Sequence, residues 1–127
     1  MKTSSVVAVI VFSGVAAAAD APADRVSGIV LYPGASSAGV EGVEKTFKDS
    51  GYPTAVCRRT RDSLAKVVTF YRKQPGLALV GEPSNDNAAF SGPAAGSSVA
   101  INSPWMNPST LRMERDTMVC IASRDRP

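Results

Sequence analysis

Cys57 and Cys120 each stand at the centre of a strand-like stretch, Thr54-Ala55-Val56-Cys57-Arg58 and Met118-Val119-Cys120-Ile121-Ala122. A bond between them would close a loop of about 64 residues, worth about 4 kcal/mol in the chain-entropy account if unstrained. It would also make the two strands neighbours or nearly so. The alternative is two separate buried thiols, which are common in protein cores. The compartment decides between them, because disulfides form and persist where the environment is oxidising.

The first residues bear on that choice. Lys2 supplies a positive start, Val6-Val7-Ala8-Val9-Ile10-Val11-Phe12 is unbroken apolar chain, and Ala17-Ala18-Ala19 offers small residues. This is the order of a secretion signal cut after Ala19. A cut after Ala21 also satisfies the small-residue rule, but Pro22 would then follow the scissile bond. Apolar character from Val6 to Ala19 covers 14 residues, whereas a membrane-spanning helix needs about 20. No later apolar run is longer. The expected organisation is therefore a signal peptide over residues 1–19 and one exported domain over 20–127, periplasmic or secreted. An even cysteine count in such a chain predicts a Cys57–Cys120 disulfide. Loss of Lys2 lowers the net charge from +3 to +2. That near-neutral balance does not call for nucleic acid or a membrane surface as a partner.

The remaining pattern is mixed. Residues 26–32 are β-branched and apolar and end at Pro33-Gly34, which reads as a strand and a turn. Residues 40–48 form a helix candidate with Val40, Val43 and Phe47 on one face. Glu41 precedes Lys45, and Glu44 precedes Lys48, at the favourable helical spacing of four. Residues 54–60 read as a strand. Asp62 is placed to cap the next helix, in which Leu64, Val67, Val68 and Tyr71 recur at i, i+3, i+4 and i+7. Strands are expected over 77–80, 88–90, 97–101 and 117–123, with a polar turn at 82–87 and a loop at 102–108. Helices followed by closely spaced strands predict an α+β fold: an antiparallel β-sheet meander with one or two helices packed on one face.

Tyr32-Pro33-Gly34-Ala35, Asp62-Ser63, Val67 and Phe70-Tyr71 together resemble a recurrent small exported bacterial α+β domain. Its members have a strand ending in a Tyr-Pro-Gly-Ala turn and a helix that opens Asp-Ser and carries a Val-x-x-Phe-Tyr face. A β meander follows. The likeness covers residues 26–71 by motif and the rest by element order. The helix-like segment 40–48 departs from it, since a plain hairpin is common there. The resemblance implies a fold and brings no catalytic residues with it.

The chain contains no histidine, which excludes Ser-His-Asp and Cys-His catalysis and histidine zinc sites. Two cysteines far apart offer neither a zinc site nor a Cys-x-x-Cys redox pair. Ser63-Leu64-Ala65-Lys66 matches a Ser-x-x-Lys spacing, but no Lys-Thr-Gly partner exists, and a serine in a first helical turn with a solvent-facing lysine explains it. The carboxylate pairs Glu82/Asp86 and Glu114/Asp116 lie in polar stretches and read as surface groups. Asn85-Asp86-Asn87 lacks the acidic spacing of a calcium loop and reads as a turn. No catalytic residue, metal ligand or cofactor is assigned.

Two candidate binding features remain. Arg58, Arg59 and Arg61 form the densest charge cluster, with Arg59 and Arg61 expected on the face of Cys57 and Arg58 on the other. They suit an anionic ligand, or they keep an edge strand soluble. Trp105, between Pro104 and Met106, is either an exposed contact or a lid on the core. The expected role is a non-enzymatic envelope or secreted interaction module whose partner, an envelope protein or a small ligand, the sequence does not name. A small-ligand binder for lipid, peptide or glycan is the second choice, and a small carboxylate hydrolase the third.

Overall fold

The computed structural model describes residues 24–125. The expected secretion signal over 1–19 lies outside the described residues. Within them the elements run β1 (Arg25–Val26), β2 (Ile29–Val30), α1 (Glu41–Asp49), β3 (Thr54–Thr60), α2 (Leu64–Arg72), β4 (Ala78–Leu79), β5 (Asn87–Ser91), β6 (Ser98–Asn102), β7 (Trp105–Asn107), β8 (Arg112–Glu114) and β9 (Thr117–Ser123). No helix among them is long and apolar enough to cross a membrane.

The main sheet has five strands in the order β3-β9-β6-β5-β4, every pair antiparallel. The stretch β4-β5-β6 is the expected meander, and the class is α+β. Strand β9 enters between β6 and β3 and is buried at every residue. Side chains alternate across a strand, so β9 feeds two cores. Val119 and Ile121 join Val99, Ile101 and Phe90 beneath Val67, Val68 and Tyr71 of α2. Met118 and Cys120 join Cys57, Val40 and Trp105 on the other side, with Val43 and Phe47 of α1 packed against them. Thus α2 covers the face with the larger core, and α1 with the β7–β8 hairpin closes the opposite face.

Helix α2 forms as its period dictates, with Tyr71 fully buried and its hydroxyl donating to the Val30 carbonyl at 2.8 Å. Its cap is Ser63, whose Oγ accepts the Lys66 amide at 3.1 Å. Asp62, expected as the cap, lies one residue too early for the first-turn amides. It accepts the Tyr32 hydroxyl at 2.6 Å instead. Helix α1 also matches its expected span, but its ion pair is Lys45–Asp49 at 2.7 Å. Glu44 turns from Lys48 to the sheet and accepts the Cys57 amide at 2.8 Å. At Gly42 any Cβ would collide with Ser109, so this glycine lets α1 approach the β7–β8 turn.

Two expected elements differ. Residues 26–32 are not one strand: Ser27 (φ 52°) and Gly28 (φ 81°) fold them into the β1–β2 hairpin. Positive φ at both central residues is the two-residue turn that matches strand twist. Residues 102–108 are not all loop, because Trp105–Asn107 pair with Arg112–Glu114 in a second hairpin.

Cys57 and Cys120 are directly opposite in the β3–β9 ladder and are bonded, with Cα atoms 4.1 Å apart. Replacing both by alanine should lower the unfolding free energy by about 4 kcal/mol. Urea unfolding of the variant against the oxidised protein measures this; an unchanged midpoint would refute it.

Burial, reinforced by the hydrogen bond to Asp62, pushes the Tyr32 hydroxyl from 10.0 up to about 12. The unfolded chain therefore ionises first as pH rises. The stability held by the neutral hydroxyl is complete below about pH 10 and is lost as pH climbs through about 12. Wild type should be more stable than Tyr32→Phe at neutral pH, and the gap should close in that alkaline window. Paired unfolding curves across pH test it; a gap that stays constant would contradict it.

Candidate functional site

Strand β3 is an edge strand, and its free edge is covered at Cys57 and Arg59. Backbone amides and carbonyls of Arg59 and Ser36 exchange two hydrogen bonds of 2.8 Å, and Glu44 takes the Cys57 amide. The charge expected to keep this edge soluble is therefore joined by a physical cover.

The arginines divide by face. Arg59 lies on the Cys57 face, as alternation requires. Its Nε donates to Asp116 Oδ2 at 2.7 Å and its Nη2 to Asp116 Oδ1 at 3.3 Å, while Glu114 approaches Nη2 at 3.4 Å. Nη1 reaches the Ala38 carbonyl at 3.4 Å. The guanidinium also stacks over Trp105, 5.0 Å from the ring centroid, a favourable cation–π arrangement. The Asp116 hydrogen bonds hold the Arg59 pKa above its ordinary value, although burial acts the other way. Each of its three nitrogens has an oxygen partner, so Arg59 is a half-buried brace. Arg58 is on the opposite face, donates to its neighbour's carbonyl at 2.9 Å and stands 4.0 Å from Glu44. Arg61 lies beyond the end of β3, where strand alternation no longer applies, and is exposed.

Trp105 is the lid. It is 4% exposed, and its indole N–H donates to Asp116 Oδ1 at 2.8 Å. Alternation places Met106 outward, 52% exposed, opposite Met113. The exposed residues of the segment 102–108 are Pro104, Met106 and Pro108, and the tryptophan is not among them.

Glu114 and Asp116 were expected at the surface. They are instead half-buried around Arg59, their charges committed to that brace. Asp86 accepts the Ser84 hydroxyl at 2.8 Å within the expected polar turn. Ser63 is a helix cap, and Lys66 lies 3.6 Å from Asp62. Among the described residues no group of three or more His, Cys, Asp or Glu gathers as a metal site.

A cleft of about 730 Å³ opens between α2 and the β4–β5 connection. Arg61 and Arg115 stand on its rim with Arg72 from the last turn of α2, and Leu64 and Val68 form one wall. None of these three arginines makes an ion pair among the described residues. The one acid on the lining, Asp62, is bonded to the Tyr32 hydroxyl and faces Lys66. Of the expected binding residues the cleft takes only Arg61. Arg115 and Arg72 were not singled out, because each is remote from the cluster in sequence. Arg72 does carry a signal: it continues the Leu64–Val68 stripe at spacing four.

Asp116→Ala should strip both the Trp105 indole and the Arg59 guanidinium of their acceptor. The expected cost is about 2 kcal/mol, with Trp105 fluorescence shifting to the red and becoming quenchable by iodide. A variant as stable and as shielded as wild type would remove Asp116 from this role. Comparison with protein-family models, with curated proteins and with solved structures finds no match.

Proposed function

We propose that this chain is an exported, non-enzymatic binding module that takes an anionic ligand in the cleft beside α2. The observation that carries the reading is the placing of Arg61, Arg72 and Arg115 on one cleft without acidic partners among the described residues. A guanidinium presents a planar fork of donors that matches carboxylate or phosphate oxygens. A fork already bonded to a carboxylate, as in Arg59, has little left to offer a ligand. The clustering also raises local anion concentration despite the small net charge.

Export is supported by the Lys2-to-Ala19 pattern and by the cross-strand disulfide, which is at home in an oxidising compartment. The resemblance to small exported bacterial domains agrees with it. Binding without catalysis fits a chain that lacks histidine and whose half-buried carboxylates Glu114 and Asp116 are held by Arg59.

The test is calorimetric titration of the oxidised, signal-free protein with inorganic phosphate and with galacturonate. Both should bind, more weakly as salt rises. The double variant Arg61→Ala/Arg115→Ala should lose about tenfold or more in affinity, the scale of one charge-assisted hydrogen bond. Arg58→Ala should leave binding unchanged. Absence of binding, or binding indifferent to Arg61 and Arg115, would overturn the proposal.

A further inference from the structure

The arginines of the cleft are not in one place. Arg61 precedes α2, and Arg115 lies in the turn between β8 and β9, beside Thr117 on the same lining. Arg72 closes the helix at its other end. Leu64 and Arg72 bound α2, and that span measures about 12 Å along the axis at the α-helical rise. A volume of about 730 Å³ falls in the range of about 300–1,000 Å³ found for sites that enclose whole small molecules. A single phosphate or carboxylate meets one end and leaves the other unsatisfied.

Between the charged ends the lining is uncharged and two-sided. Leu64 and Val68 supply apolar surface, Thr69 and Ser103 supply hydroxyls, and Asn85 supplies a carboxamide that both donates and accepts. The protons of the two hydroxyls are already used: Thr69 Oγ1 donates to the Ala65 carbonyl at 2.9 Å and Ser103 Oγ to the Asp116 carbonyl at 3.2 Å. Each therefore offers only lone pairs to the cleft. The complementary ligand brings negative groups at its ends and hydroxyl donors and C–H surface in its body. A polyphosphate has the charge but neither the donors nor the apolar surface.

We infer that the ligand is an acidic oligosaccharide, several sugar residues long, lying along α2 with carboxylates at both ends of the cleft. This rests on the anion-binding reading above and adds the length and the chemical class of the ligand.

The experiment is titration of the oxidised protein with a ladder of oligogalacturonates, from one residue upward. Neutral malto-oligosaccharides and linear polyphosphates of increasing length serve as comparison ladders. Uronate affinity should step up by about tenfold once the chain reaches Arg72, and then level off. In Arg72→Ala, checked for unchanged circular dichroism, the single-residue affinity should persist and the step should vanish. Neutral sugars should not bind. A uronate ladder without a step, or a step that survives Arg72→Ala, overturns the inference while phosphate and monomer binding still uphold the anion site. Polyphosphates binding as tightly as uronates of equal reach would overturn the sugar assignment. If no anion binds at all, both readings fall.

Discussion

Strand β9 is covered on both faces and paired on both edges, and this sets the conditions for everything around it. An antiparallel strand with one wet face reads as alternating apolar and polar residues. Thr117-Met118-Val119-Cys120-Ile121-Ala122-Ser123 has no polar residue in its interior and is buried throughout. Each face then needs its own cover. One core is large enough for a helix carrying Val67, Val68 and Tyr71. The other contains few aliphatic residues, and there the Cys57–Cys120 bond links β9 to its neighbour beneath Val40 and Trp105. The covalent link sits in the smaller of the two cores, where a disulfide compensates for limited packing in a small domain.

The short turn entering β9 connects the second core to the cleft. Asp116 points inward and accepts from both Trp105 and Arg59. Its neighbour Arg115 points to the cleft, and the next residue, Thr117, lines the cleft and donates to the Asp62 carbonyl at 2.6 Å. Asp62 in turn leads into Ser63 and the first turn of α2. The position of Arg115 is thus tied to the same carboxylate that fixes the tryptophan. The floor and one wall of the cleft are joined by a buried threonine hydroxyl.

How far the sequence revealed this depends on how local each signal was. The helix at 64–72 carries its own periodicity, the strands at 54–60 and 117–123 show as short runs around a cysteine, and the disulfide follows from an even cysteine count together with the strand-like setting of both residues. The β1–β2 hairpin was hidden by its flanking valines and isoleucine, although Ser27-Gly28 is itself a turn dipeptide. The Asp62-Ser63 pair contains two good caps, and only the position of the first helical amide decides between them. The β7–β8 hairpin is hard to read because its two strands are three residues each and prolines flank the first of them. The arginine cluster misled for another reason. Proximity in sequence sends successive side chains of a strand to opposite faces, whereas the cleft gathers Arg61, Arg72 and Arg115 from three separate elements.

The same contrast bears on how charge serves function here. A net charge near neutrality conceals an uneven partition of ions. Two acids are drawn to Arg59, Glu44 caps a strand amide, and Asp49 holds Lys45. These acids do structural work at the sheet edge, under the lid and along α1. Of the cations left without an ion pair among the described residues, Arg61, Arg72 and Arg115 meet on one cleft beside α2, the helix that packs Tyr71 and Val67 into the larger core. Arg72 is carried by that helix, so its backbone is already fixed when an anion arrives. The fold therefore separates its cations by role, half-burying one as a brace against tryptophan and bringing three others from separate segments to one open cleft.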